Sequence, residues 1–351
     1  MNKYKSIRLF NGFISFLLDQ RAVTVFVILL LLLFSLFLLS ASTGQMFISP
    51  LRVAKILFGA GNEMETMVVT SFRLPRIVVA IMVGMALAVA GGILQGMIRN
   101  PLASPDIIGL TGGASFAVVS FLAFFSDTNN SLTVSIAWLP LAAFAGASIT
   151  AFLVYSFSWK NGVAPTRLVL VGIGISALMQ AGTTMMMILG PIYRASQANI
   201  WITGSVNGAK WTDVYILVPL VLLILSIAFA LSRNLNVQEL GEDIALGVGN
   251  KVEKQRLFLL VIATALTGGA VAFGGGIGFV GLMAPHMARR LVGGAFGALL
   301  PIAALIGAVL VLVADLIGRT LFAPLEIPAG VFTASIGAPY FIYLLYKTRN
   351  T

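Results

Sequence analysis

The sequence predicts an all-α, polytopic membrane protein with about ten transmembrane helices, and three observations predict it. Of the 351 residues, 59% are hydrophobic and only 10% are charged, where a soluble domain carries about 25% charged residues. Mean hydropathy is +1.00, more apolar surface than a water-soluble core can hide. Apolar runs of helix-spanning length recur from end to end, and lysine and arginine fall unequally between the segments that join them. No stretch is polar enough to form a second, soluble unit, so residues 1–351 read as one membrane domain.

The first run, Ala22 to Ser40, follows Lys3, Lys5, Arg8 and Arg21. A basic head before an apolar stretch also marks a signal peptide, but a signal core spans about 7–15 residues. Nineteen apolar residues fit a retained first helix better. The expected spans are 22–41, 75–97, 107–125, 134–158, 168–190, 212–231, 257–273, 277–293, 297–317 and 328–346. The second, third, eighth and tenth carry Gly or Pro interruptions, which membrane helices tolerate where protein or a water-filled cavity satisfies the freed backbone groups. Gly84, Gly91, Gly92 and Gly96 suit close helix approach.

With the N-terminal segment (1–21) and the C-terminus both inside, fifteen of the 22 lysines and arginines lie on the cytoplasmic side. Arg52, Lys55, Arg73, Arg76, Arg194, Lys210 and Arg319 are left outside. The largest polar interruption, 232–256, is then cytoplasmic. It reads as two short helical pieces punctuated by Gly241, Gly247 and Gly249. Leu240, Ile244, Ala245, Leu246 and Val248 put an apolar patch on it. A solvated loop has no need of such a patch, whereas a docking element does.

Enzymatic chemistry is short of parts. There is no cysteine and a single histidine, His286, which reads as a structural hydrogen-bonding residue. GGGIGFVG lacks the lysine and hydroxyl residue of a phosphate loop. Met185, Met186 and Met187 offer a pliable surface to a bulky substrate, or simply pack. An ion-coupled secondary transporter needs a carboxylate inside the membrane. By the span assignment, Glu63, Glu65, Asp127, Asp213, Asp315 and Glu326 lie at outer ends, and Asp19, Asp106, Glu239, Glu242, Asp243 and Glu253 at the inner side.

Four stretches carry a family resemblance: 73–114 (RLPRIVVAIMVG…NPLASPDIIGLTGGA), 240–256 (LGEDIALGVGNKVEKQR), 274–293 (GGGIGFVGLMAPHMARRLVG) and 314–345 (ADLIGR…EIPAGVFTASIGAPYFIYLL). Together they resemble the iron-siderophore and cobalamin (FecCD-type) permeases, the membrane subunits of type II ABC importers. The resemblance implies the cobalamin-transporter-like fold in a bacterial plasma membrane. It implies a second permease copy or paralogue, two ABC ATPase subunits and an extracytoplasmic solute-binding protein as partners, with no nucleic acid. Arg73, Arg76 and Arg319 would meet acidic residues of the binding protein; alternatively they anchor helix ends, with Arg319 paired to Asp315 one turn earlier. Leu240, Gly241, Glu242, Ala245, Leu246 and Gly247 would sit in a cleft of the ATPase. Asn100, Leu102, Pro165 and Thr166 would line a cytoplasmic gate, although Pro165 stands where the family usually has a small hydroxyl residue. The chain itself would bind no cofactor or metal, since ATP and magnesium belong to the ATPase. The implied cargo is a ferric siderophore, with haem or cobalamin as alternatives.

Overall fold

The computed structural model describes residues 4–9, 14–127, 132–160 and 162–348. Lys3 and Arg349, counted in the charge bias, lie outside the described residues. The chain begins with an antiparallel hairpin, β1 (Tyr4–Leu9) and β2 (Ile14–Asp19), in register from Tyr4 opposite Asp19 to Leu9 opposite Ile14. This pair is an addition to the all-helical expectation. All else of length is helix.

Asp19 ends the hairpin and starts α1 (Gln20–Ser42), its Oδ1 accepting from the Arg21 amide at 2.9 Å, as an N-cap side chain does. Two short helices follow, α2 (Pro50–Leu57) and α3 (Glu63–Met67). A π-helical stretch, Val68–Arg73, then leads into α4 (Leu74–Ile98). Next come α5 (Leu110–Phe124), α6 (Leu139–Ser158), α7 (Pro165–Leu189), α8 (Ile192–Thr203) and α9 (Trp211–Ala230). Two short pieces, α10 (Ser232–Glu239) and α11 (Glu242–Gly247), precede α12 (Val252–Gly274), α13 (Val280–Val292), α14 (Phe296–Thr320) and α15 (Ala329–Thr348).

Every expected span falls on one of these helices. Among the described residues, eight helices are long and apolar enough to cross a membrane: α1, α4 with its lead-in, α6, α7, α9, α12, α14 and α15. The other two, α5 and α13, have 15 and 13 residues. At about 1.5 Å per residue each covers roughly three-quarters of a 30 Å hydrocarbon core or less. Those two are partial spans, and irregular backbone completes them.

The core is built around α4, which is buried over most of its length. It runs antiparallel to α14, and the two touch backbone to backbone. A Cβ added at Gly84 would stand 2.2 Å from the Gly307 carbonyl oxygen. One added at Gly91 would stand 1.8 Å from the Gly281 carbonyl on α13. These glycines are required by contact, as small residues are wherever membrane helices pack without a hydrophobic driving force. At the other extreme, α1 buries only Leu33 and the three residues of its last turn.

The end carrying Arg73, Arg76 and Arg319 is called the rim below, and the end carrying α10 and α11 the base. Between them the chain doubles back at three places. The segment 99–109, after α4, returns from the base: Pro105 and the Leu87 carbonyl both stand about 3 Å from the position of a Gly281 Cβ. Leu87 is the midpoint of α4, so Pro105 and the adjoining Asp106 lie at half depth. The sequence reading placed Asp106 at the inner side; the structure corrects this, because the loop folds inward instead of running along the surface. The second place is the turn 275–279 between α12 and α13. The third is the end of α8, where the Trp201 carbonyl accepts from the Gly276 amide at 3.0 Å and the Gly204 carbonyl from the Gly330 amide at 3.0 Å. The freed backbone groups of one break are thus satisfied by another.

Candidate functional site

Where these breaks meet, a cleft of about 460 Å³ opens between α5, α7 and α8. Thr111 and Ser115 face it from α5, and Asn199 from α8. From α7 it receives Ser176, Gln180, Thr183 and Met187, at i, i+4, i+7 and i+11, one face of that helix. Asp106 closes the inner wall. Its Oδ2 accepts from the Phe279 amide at 3.3 Å, and Thr111 lines the cleft with it. Phe279 has φ 66°, a left-handed conformation at the start of α13 that aims its N–H at the carboxylate. The outcome is a polar surface of hydroxyls and amides in a largely apolar body. The spacing on α7 was readable in the sequence as a polar stripe; Asp106 and Asn199 were not, since their positions depend on the chain doubling back. Of the methionine triplet only Met187 lines the cleft. Met185 is exposed and Met186 is packed against the core.

The four residues expected to line a gate sit at the base end. Asn100 Oδ1 accepts from the Leu102 amide at 2.9 Å, shaping the turn that follows α4. Pro165 is the first residue of α7, where its missing N–H costs nothing, and Thr166 is exposed beside it. The end of α4 and the start of α7 share one narrow void, lined among others by Met97, Ile98 and Pro165.

At the base, α10 buries Leu235 beneath Gly96 of α4, while α11 projects. Leu240, Ile244, Leu246 and Val248 are 65%, 53%, 55% and 68% exposed, an apolar patch that the described residues leave uncovered. Of the six coupling residues named from sequence, Ala245 is fully buried and props the helix from beneath. Gly241 holds φ 120°, a turn that an L side chain would strain, and Gly247 faces open space. Glu242 pairs with Arg256 at 2.8 Å. Arg256, which sequence reasoning passed over, is buried; it also donates to the Val163 carbonyl at 3.0 Å and lies 3.6 Å from Glu253. Arg289, near the end of α13, pairs with Glu239 of α10 at 2.6 Å. His286 accepts from Arg290 Nε at 3.1 Å and sits edge-on to Tyr340. Among the described residues no group of His, Asp and Glu is arranged to hold a metal.

The rim differs from expectation. Arg73 is buried, and its guanidinium donates to the carbonyls of Ala41 (2.6 Å), Ser42 (3.1 Å) and Met46. Arg319 donates to the carbonyls of Thr43 (2.6 Å) and Ser40 and to the Ser40 hydroxyl. Both cations therefore satisfy the last, unpaired carbonyls of α1 and the turn beyond it, where positive charge is favoured. Arg76 contacts Asp315 at 2.9 Å, Glu326 at 2.9 Å and Asn207 at 3.1 Å. Asp315 was expected to pair with Arg319 one turn away; that distance is 3.5 Å, and Arg76 is its nearer partner. Accessible cations of this end include Arg52, 60% exposed and 3.1 Å from Glu65, Lys55 and Lys210.

Residues 29–347 match the model of the FecCD transport family. The chain belongs to that family. A FecCD relative from Bacillus subtilis, named "Probable siderophore transport system permease protein YfhA", is 60% identical over 95% of this chain and 97% of its own length. The achromobactin transport system permease protein CbrC of Dickeya dadantii is 47% identical over 92% and 90%. Among solved structures, an inward-facing metal-chelate type ABC transporter superposes with a TM-score of 0.83 at 32% identity, over 93% of this chain and 99% of that one. A more distant likeness, to PsaBC from Streptococcus pneumoniae (TM-score 0.54, 17% identity), concerns the fold alone. The FecCD chain is thus a multi-pass membrane permease with the architecture of an ABC transporter membrane subunit.

Proposed function

We propose that the chain forms half of the pathway of an ATP-driven importer that carries an iron(III)-siderophore complex across a bacterial plasma membrane. The observation that carries the cargo is the 60% identity, over nearly the whole chain, to a permease named for siderophore transport. The polar cleft between α5, α7 and α8 is the wall past which the chelate moves. Its hydroxyls and amides exchange hydrogen bonds with a polar cargo at no ionic cost. A second permease copy or paralogue supplies the facing wall.

Energy enters at the base, which is the cytoplasmic side, together with both termini. The exposed leucine, isoleucine and valine side chains of α11 dock in a separate ABC ATPase subunit, which hydrolyses ATP. Motion of α11 reaches the body through Glu242–Arg256, and through Glu239–Arg289 into α13, whose other end is held by Asp106 at the cleft. Asn100, Leu102, Pro165 and Thr166 form the gate between cleft and cytoplasm. At the rim a solute-binding protein meets accessible cations, Arg52, Lys55 and Lys210 among them. Beneath them, Arg73, Arg76 and Arg319 fasten α1, α4 and α14 together and pass the contact inward.

The test is reconstitution of the permease with its ATPase and binding protein in proteoliposomes, loading a panel of radioactive ferric chelates. ATP-dependent accumulation of a ferric siderophore is expected. Accumulation of haem or cobalamin alone would overturn the cargo. Accumulation driven by an ion gradient without ATP would overturn the energy source.

A further inference from the structure

A second cavity lies on a different face, and the transport pathway makes no use of it. It is an open groove of about 320 Å³ between α6 and α12, lined by Phe144, Ser148, Phe152 and Tyr155 on one side and by Leu257, Val261 and Ala265 among others on the second. Nearly all of its wall is carbon. Both helices span the membrane, so hydrocarbon is the medium outside the groove, and Phe152 and Val261 at its lips are 68% and 53% exposed.

The groove has a polarity. Residues 144 to 155 of α6 rise through roughly 16 Å, about half of a 30 Å hydrocarbon core. That is the depth of one leaflet. One end of it lies toward the base, where α6 ends and α12 begins. Lys254 stands there on the same face of α12 as Leu257, Val261 and Ala265, at i, i+3, i+7 and i+11, and it is exposed. Across the mouth, Trp159 packs on Tyr155 with ring centroids 5.6 Å apart and is 52% exposed, as interfacial aromatics are. Lys160 follows it, exposed. The loop bearing Lys160 is drawn to the start of α12 by Glu253, whose Oε2 accepts from the Val163 amide at 3.3 Å. Glu253 and Glu242 are acids of this corner, and Arg256 stands 3.6 Å from the first and 2.8 Å from the second. Lys254 and Lys160 are thus accessible cations at the mouth, beside the partly exposed Glu253.

The geometry points to a binding site for an anionic glycerophospholipid of the base leaflet: one acyl chain fills the α6–α12 groove, and the headgroup phosphate meets Lys254 and Lys160. The site binds a helix face and a loop that both bear on Arg256, so an occupied groove braces the part of the body to which α11 is tied. Charge complementarity selects the headgroup, and the one-leaflet depth selects a lipid over a transmembrane helix, which would need a groove spanning both leaflets.

The experiment is native mass spectrometry of the full chain released from detergent after equilibration with phosphatidylglycerol or phosphatidylcholine of identical acyl chains. Each lysine near a membrane surface favours an anionic lipid about fivefold, so one retained phosphatidylglycerol with roughly 25-fold preference is expected. The double variant Lys254→Gln/Lys160→Gln should lose that preference and still retain lipid of either kind weakly. Ser148→Phe, which fills the groove, should lose retention of both; should it fail to fold, the surface-charge variant still decides. Equal retention of the two lipids by the unmodified chain would overturn the proposal. So would a preference unchanged in the lysine variant, or a second copy of the chain occupying this face in place of lipid.

Discussion

The rim and the base invite opposite readings from sequence and structure. The rim is rich in arginine, and from sequence it looks like a surface waiting for an acidic partner. In the structure its three named arginines are spent on the protein itself: Arg73 and Arg319 on the carbonyls at the end of α1, Arg76 on Asp315, Glu326 and Asn207. At the base, by contrast, Arg256 and Arg289 tie acids of α10 and α11 to the body, and α11 leaves apolar side chains outside. Charge at a surface is thus a poor guide to what meets a partner. The better guide is what remains unsatisfied after the chain has paired its own groups.

That contrast can be broken most forcefully at Arg76. Arg76→Met leaves Asp315, only 2% exposed, with Arg319 at 3.5 Å as its remaining cation, and loss of one partner of a buried pair costs about 3–5 kcal/mol. A large drop in detergent melting temperature is the expected result; an unchanged one would mean that the rim network is not structural. At the base, Arg256→Met should cost less, about 1–3 kcal/mol, because Glu242 and Glu253 are about 40% exposed and can hydrate. If it costs more than Arg76→Met, the ranking of the two ends is reversed.

The next two tests should barely touch stability. Ile244→Glu with Leu246→Glu changes exposed side chains and should shift stability by no more than about 0.5 kcal/mol, while abolishing co-purification of an ATPase subunit. Retained co-purification would remove α11 from the docking surface. Smallest of all, Lys55→Glu, which leaves the Arg52–Glu65 pair in place, should leave folding intact and weaken stimulation of ATPase activity by the binding protein. Each exposed ion pair contributes only about 0.2–1 kcal/mol, so a decrease of a few-fold is expected. An equal decrease from Arg73→Lys alone would return docking to the buried arginines.

Much of the fold was legible in the sequence because lipid simplifies the code. A run of about 20 apolar residues has few alternatives to a spanning helix, and each of the ten expected runs became a helix or part of one. The short pieces at 232–247 were legible for the complementary reason: apolar residues in a polar stretch need somewhere to go. What sequence could not supply was depth and direction. Asp106 sits at half depth because the segment after α4 turns back into the body, and the residues that receive it, Gly281 and Phe279, lie far along the chain. Arg73 and Arg319 turn inward because α1 ends beside them with its carbonyls unpaired, and no local pattern records which helix end will be a neighbour.

By itself, then, the sequence determined the solvent, the number of apolar segments and the presence of a projecting element near residue 244. Only the tertiary structure decided which polar groups are consumed within the chain and which face a partner or a cargo. The physical reason is range: burial of a helix in hydrocarbon follows from its own residues, whereas satisfaction of a hydrogen bond or an ion pair depends on atoms that folding alone brings within about 3 Å.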